Sequence, residues 1–344
     1  MGAAAKLIAE LSSKADITEI IINGPSSIYV ERGGEFIKLS NSLKVEEIRE
    51  YAHELAALNR KELSEEHPIL DGNLSDGSRV NIILEPFALG CPAITIRRYL
   101  KSITRFESSP GIFGLTPKWV SLIKAIINSK MNFVVAGGTG VGKTTFMNLM
   151  LQEVNKEDRV ITIEDTKELN FDLPNVVRLE ARIGASQGTA KLSIRDLVKN
   201  TLRMRPDRIV IGEVRGGELF DLLQAMNTGH EGSFTSIHAN NPAECLMRME
   251  NLFYLSGYDV PVKAIRYQFS TAIDFIIQLG RLRDGGRIVK QISEVTGMEG
   301  DRMLLSDIAK ANDKGQLRST GLAVKRMDEL MRVGLPADFF NTKD

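Results

Sequence analysis

The chain has 344 residues, of which 43% are hydrophobic and 26% charged, an ordinary globular composition with length for about two domains. Lys+Arg and Asp+Glu are both 44, so the net charge of zero argues against a dominant nucleic-acid footprint, though not against a local basic patch. No apolar run approaches a membrane span, the N-terminus lacks a secretory apolar core, and Cys91 and Cys245 are isolated, without a C-x-x-C zinc pattern, so they read as buried small hydrophobes in a reducing compartment.

Residues 1–40 combine a short amphipathic segment, Lys6–Leu11, with two β-like runs, Thr18–Asn23 and Ser27–Glu31, separated by the turn signal Asn23-Gly24-Pro25. Val45, Ile48, Ala52 and Leu55 recur at helical spacing, which predicts an amphipathic helix over 44–59. Two more strands are expected over 79–84 and 92–98, on either side of Glu85-Pro86. The first hundred residues therefore read as an α+β domain, taken as 1–105.

Ser108-Ser-Pro-Gly111 is turn-rich and marks a linker, set at 106–117. From 118 to 344 helices alternate with apolar strands at 132–136, 159–163, 208–212 and 233–237, the pattern of a parallel α/β sheet with crossover helices. Asn241-Pro242 is a helix start with Asn as cap and Pro in the first turn. Asp284-Gly285 between two β-rich runs reads as a hairpin, and the chain beyond Ala311 as polar and then helical.

The most specific signal is Gly137-Gly138-Thr139-Gly140-Val141-Gly142-Lys143-Thr144, which fits G-x-x-x-x-G-K-[ST], the phosphate-binding loop of nucleotide triphosphatases. The apolar run 132–136 leads in and the helix-compatible run Thr144–Leu151 leads out, with Thr145 still in the first turn. The glycines let successive backbone N–H groups curl round an anion, and the helix N-terminus adds its dipole. Lys143 can reach β- and γ-phosphates, and the Thr144 hydroxyl can ligate Mg²⁺.

Three later segments supply further groups, each at or after an expected strand, where an α/β sheet opens its ligand crevice. In Ile161-Thr-Ile-Glu164-Asp165-Thr166 two carboxylates can orient water or hold Mg²⁺ through water, and Asp165 can equally cap a helix. Asp207-Arg-Ile-Val-Ile-Gly212-Glu213 resembles a Walker B element in which Gly212 stands where many triphosphatases carry Asp, leaving Glu213 to do the metal or base work. Gly229-His230 through His238-Ala-Asn240 holds two of the chain's 4 histidines, at the two ends of one β-run. No third ligand at suitable spacing supports zinc, and sensing of phosphate or of a neighbouring subunit is the better reading. Phosphoryl transfer also gains from a guanidinium on the developing charge, and Arg79, Arg97 and Arg98 lie near glycine and proline turns in the first domain.

These segments in this order resemble the secretion ATPase superfamily of type II and type IV secretion and type IV pili. The resemblance rests on a Walker A loop (137–144), an aspartate box (Ile163–Leu169), an atypical Walker B (Arg208–Glu213) and a histidine box (Thr228–Asn240). Asp76–Asn81, Ile94–Arg98, Ser193–Asn200, Leu202–Ile209, Gly212–Glu218, Leu223–His230 and Ser293–Gly300 look most like the CpaF/TadA branch, the motors of tight-adherence (Flp) pili. The resemblance implies a RecA-like ATPase domain with a parallel-rich sheet, a homohexamer, and ATP with Mg²⁺ held between the two domains. By motif, Arg79 and Arg97 match the arginines of the N-terminal domain that approach the phosphates, with Arg98 a near alternative. Glu164 matches the aspartate-box carboxylate, Glu213 the Walker B carboxylate, His238 the histidine-box position and His230 its partner. On the split, Glu213 is favoured as general base and Glu164 as a ligand of metal-bound water.

The resemblance further implies a cytoplasmic location at the inner face of the cytoplasmic membrane, with inner-membrane platform proteins as partners and no direct contact with nucleic acid. Three departures stand out: members of this branch usually have a longer N-terminal extension, Glu85-Pro86 replaces a more usual Pro-Pro, and 182–188 differs from the common pattern, which reads as a mobile loop. Two alternatives stay open. One is a traffic ATPase of type IV secretion, against which the balanced charge and the CpaF/TadA-like stretches weigh. The other is a nucleotide-dependent scaffold or switch with negligible turnover, against which Glu164, Glu213 and His238 weigh.

Overall fold

The computed structural model describes residues 2–99, 105–181, 191–322 and 324–342, and the expectation for 182–188 lies outside them. The described residues form two compact units, meeting in sequence near residue 102.

The first unit runs α1 (Ala3–Ser12), β1 (Ile17–Ile22), β2 (Ile28–Arg32), β3 (Glu35–Lys38), α2 (Val45–Leu58), β4 (Ile69–Asn73), β5 (Arg79–Ile83) and β6 (Ala93–Arg97). Its strands make a 6-stranded sheet in the order β3-β2-β1-β6-β5-β4, antiparallel throughout. Strict alternation explains the one-sided core: in β5 and β6 every second residue, Val80, Ile82, Ile94 and Ile96, is buried. That face packs on Leu7, Ile8 and Leu11 of α1 and on Ile48, Ala52 and Leu55 of α2. The Lys44 backbone N–H donates to Glu47 Oε2 at 2.8 Å, satisfying one orphan donor at the start of α2.

The second unit opens with a short 3₁₀ turn at Ile112–Gly114. Then come α3 (Pro117–Asn128), β7 (Phe133–Ala136), α4 (Lys143–Leu151), β8 (Val160–Glu164), β9 (Val176–Glu180), α5 (Ile194–Thr201), β10 (Arg208–Ile211), α6 (Glu218–Asn227) and β11 (Phe234–Ile237). It closes with α7 (Pro242–Tyr254), α8 (Val262–Ala272), β12 (Phe275–Arg281), β13 (Arg287–Glu299), β14 (Arg302–Ala311), β15 (Leu317–Ser319) and α9 (Met327–Arg332). The segment 106–117, read from sequence as a linker, carries Phe106, Phe113 and Leu115, all buried in this unit's core.

The 9-stranded sheet has the order β15-β14-β13-β12-β7-β11-β10-β8-β9. From β9 to β12 all neighbours are parallel, and from β12 to β15 all are antiparallel. Every residue of β7, β8, β10 and β11 is buried, as expected for parallel strands covered on both faces. Successive side chains feed opposite layers: Phe133 and Val135 join Trp119, Phe146 and Met150, while Val134 and Ala136 join Leu222, Met249 and Phe269. The Asn241 side chain caps α7 by accepting from Glu244 N at 2.9 Å, with Pro242 in the first turn. The hairpin at Asp284-Gly285 joins β12 to β13. The stretch 302–319, which alternates weakly and lies at the sheet's edge, continues the sheet as β14 and β15 before the expected helical end, α9.

Candidate functional site

Because β8, β10, β11 and β7 are parallel neighbours, their C-terminal ends come out on one side of the sheet. The turns leaving those ends carry Glu164, Gly212-Glu213, His238 and the loop 137–142. Four segments far apart in sequence thus meet at one crevice.

The loop's glycines are required by its shape. Gly140 and Gly142 have φ of 73° and 95°, and a Cβ at Gly137 would sit 2.6 Å from Val141 Cγ2. The Lys143 ammonium turns into the loop, 3.1 Å from Gly137 O and 3.0 Å from Gly138 O, and lies 3.2 Å from His238 Nδ1. Burial, and then the Lys143 charge, push the His238 imidazole below its ordinary pKa, so its neutral form dominates at pH 7 and can accept from Lys143. His238 Nε2 is 2.7 Å from Glu213 Oε1, but not in hydrogen-bonding alignment, so this buried carboxylate oxygen has no donor. The other oxygen, Oε2, is taken by Arg215, whose Nε is 2.8 Å away, and Arg215 Nη1 reaches Asp165 Oδ2 at 2.8 Å.

Asp165 does not cap a helix: its Oδ1 accepts from Thr166 N at 2.9 Å, and no helix follows it directly. Glu164 is 4% exposed, and its Oε1 accepts from Glu168 N and Leu169 N, both at 2.8 Å. Burial raises its pKa to about 7, against the two backbone donors that favour the charged form. The Thr144 hydroxyl donates to Glu168 Oε2 at 3.0 Å. Glu168 and Arg215 were not singled out from sequence, although both lie inside quoted boxes. Their one signal was charge within two residues or four of a named carboxylate.

His230 is not brought to this crevice. It precedes β11 while His238 follows it, and a strand carries its two ends to opposite edges of the sheet. Its Nδ1 lies 3.2 Å from Ala225 O, and its own carbonyl accepts from Ser233 Oγ at 2.7 Å, a local structural role. In the first unit, Arg97 stands directly opposite Arg79 on β5 and opposite Glu19 on β1. The two guanidinium groups therefore share one face of that sheet. Arg98 is committed to its own unit: Nη1 donates to Ile17 O at 3.1 Å and to Lys14 O.

The chain matches the type II/IV secretion system protein family over residues 3–302. It belongs to that family. A putative conjugal transfer protein of Mycobacterium tuberculosis is 32% identical over 326 residues, covering 90% of this chain and 92% of the relative. The conjugal transfer protein TrbB of Rhizobium radiobacter is 32% identical over 292 residues, covering 84% and 85%. In fold, the chain is similar to the ATPase DotB of Legionella pneumophila, with a TM-score of 0.60 at 21% identity, over 84% of this chain and 79% of that one. The residues present fit a nucleotide phosphate and a divalent cation. Cβ atoms at Gly137 and Gly142 would strike Val141, Phe113 and Arg287 behind the loop, Lys143 and the undonated Glu213 oxygen converge at its mouth, and Thr144 offers its hydroxyl to a carboxylate.

Proposed function

We propose that this secretion-family protein is a Mg²⁺-dependent ATP hydrolase that drives a type IV secretion or conjugal-transfer apparatus. The observation that carries the hydrolase is the meeting of Lys143, His238 and Glu213 at the mouth of the parallel sheet. The relatives' names support the choice of apparatus. The tight-adherence pilus reading, drawn from the CpaF/TadA-like stretches, therefore yields to the type IV secretion alternative. Balanced charge was weak ground against that alternative, since a motor acting through partners needs no basic surface of its own.

In this reading the loop amides of 137–145 and Lys143 hold the phosphates, and Thr144 serves the metal. Glu213 polarises the attacking water: its Oε1 is buried, lacks a donor and stands beside a neutral imidazole. Arg79 and Arg97, opposite one another on β5 and β6, are the proposed charge compensation for the nucleotide. The chain acts as a homohexamer, because a ring with sites out of phase can convert closure into movement of a partner. No helix among the described residues is long and apolar enough to cross a membrane. In this reading the motor works at the inner face of the cytoplasmic membrane and passes force to an inner-membrane partner, as the kinship with secretion and conjugal-transfer proteins suggests.

The test is ATP hydrolysis per protomer against protein concentration with Mg²⁺ present, on the parent and on Glu213→Gln. A specific activity that climbs and saturates, and a Glu213→Gln protein that binds ATP without turning it over, are the expected results. No parent activity at any concentration points to a switch instead. Parent-like turnover in Glu213→Gln removes Glu213 from the chemistry.

A further inference from the structure

We propose that Glu168, rather than Glu164, is the carboxylate of the divalent-metal site. The proposal rests on the nucleotide reading above and assigns one residue within it.

P-loop triphosphatases hold Mg²⁺ with the loop's Ser/Thr and an acidic residue at the end of the Walker B strand. In this chain that strand, β10, ends at Ile211 and is followed by Gly212, where that acid would stand, and then by Glu213. A side chain there is crowded: a Cβ on Gly212 would lie 3.1 Å from Glu164 Cγ. Glu164 cannot readily give way, since it is buried and holds two backbone N–H groups of the following turn. The Walker B position therefore carries no carboxylate and is crowded by Glu164, so an acid has to come from elsewhere.

Glu168 comes from the turn that Glu164 organises. That turn is tied at one end to the last residue of β8 and at the other to α4. Glu164 Oε1 takes the N–H of Glu168, and Asn148 Oδ1 takes the N–H of Asn170 at 2.9 Å. Thr144 and Asn148 are one helical turn apart, so the segment 168–170 lies along the same side of α4 as the loop threonine. The result is the 3.0 Å bond from the Thr144 hydroxyl to Glu168 Oε2. A hydroxyl and a carboxylate in contact are the oxygen pair a small hard cation takes, with waters and phosphate completing its shell. Glu164 offers no such pairing: its Oε1 is turned inward to two amides. Glu213 is held by Arg215 and faces His238. Three acids thus divide three tasks, with Glu164 building the turn, Glu168 serving the metal and Glu213 left for water.

The experiment uses the full chain, ADP and Mn²⁺ as a spectroscopic substitute for Mg²⁺. ADP affinity is measured by calorimetry in EDTA, and Mn²⁺ affinity of the protein–ADP complex by electron paramagnetic resonance. For Glu168→Gln, ADP affinity in EDTA stays at the parent value, which shows an intact loop, while Mn²⁺ affinity falls about 10–100-fold. Glu168→Asp, which keeps the charge on a shorter arm, lies between. Glu164→Gln can still accept both N–H bonds, so the turn stays in place and Mn²⁺ affinity falls far less than in Glu168→Gln. Parent-like Mn²⁺ binding in Glu168→Gln, or its loss in Glu164→Gln with ADP affinity intact, overturns the assignment while leaving the nucleotide reading in place. Failure of the parent to bind ADP at all removes both.

Discussion

Arg208→Met probes how β10, the strand that delivers Glu213, is anchored in the sheet. The Arg208 side chain is 1% exposed, and its Nε pairs with Asp158 Oδ2 at 2.7 Å. Its other nitrogens donate to Ile127 O at 2.9 Å and Gly232 O at 3.3 Å. Asp158 keeps one further cation, Lys130, at 3.1 Å. Methionine fills much of the stem's volume but strands Asp158 on Lys130 alone and takes the Arg208 donor from Gly232 O, while Ile127 O keeps the Lys130 N–H at 3.1 Å. Removing one partner of a buried pair costs about 3–5 kcal/mol, and the surviving Lys130 contact places this case near the lower end. The lost bond to the Gly232 carbonyl adds about 1 kcal/mol, giving about 4 kcal/mol against a typical domain stability of about 5–15 kcal/mol. Trp119, the chain's 1 tryptophan, is fully buried in the same unit, so its fluorescence reports that unit's unfolding in urea. At a slope of about 2 kcal/mol per molar urea the midpoint should drop by about 2 M. Asp158→Asn combined with Arg208→Met should cost less than the two single changes summed, because the stranded charge is gone. A loss below about 1 kcal/mol in the single variant would show that the pair is not an anchor.

Further outcomes follow from the same geometry. Gly212→Asp, which restores the acid many triphosphatases carry, should abolish turnover and lower stability by about 1–3 kcal/mol, because its Cβ lies 3.1 Å from Glu164 Cγ and a second carboxylate joins the first. An active, undiminished Gly212→Asp enzyme would refute the crowding argument. Gly142→Ala forces a side chain to φ 95°, with Cβ 3.0 Å from Phe113 Cζ and Arg287 Cδ. The left-handed backbone alone costs about 1–2 kcal/mol, so ADP affinity should fall at least about tenfold while the first unit is unaffected. Asp274 is pushed up to about 6 by burial, despite the Arg326 guanidinium 2.7 Å away and the Asn132 N–H it accepts, with Glu294 and Glu231 adding to the rise. Its folded value exceeds the ordinary 3.8, so the folded state binds the extra proton, and stability is lost as pH rises from about 4 through about 6. At the limit this is about 3 kcal/mol, and Asp274→Asn should flatten that part of the stability profile in urea titrations over the same range. An unchanged pH slope would show that Asp274 does not titrate there.

Much of the fold could be read from the chain alone, because its signals are local. The parallel strands are short runs buried on both faces, and such runs stay apolar whatever lies beside them. The loop 137–144 is contiguous, so its glycines, lysine and threonine carry their geometry within a single turn. Asn241-Pro242 announces α7 for the same reason. The strands β14 and β15 were less legible, since β14 is exposed or half-buried along most of its length with no regular alternation and β15 has only 3 residues.

The candidate site was legible only in part. A sequence lists Glu164, Glu168, Asp165 and Glu213 as four equal acids. Packing makes them unequal: Glu164 is buried against Gly212, Glu168 meets Thr144 because Asn148 pins the turn to α4, and Arg215 ties Glu213 to Asp165. Likewise the two histidines of one motif look equivalent until the strand between them carries His230 to the far edge of the sheet. The chain by itself determined which groups exist, which elements carry them and that a phosphate loop is present. Which carboxylate faces which partner was decided by the tertiary structure, because burial and hydrogen-bond supply at a crevice depend on four strand ends that only the parallel sheet brings together.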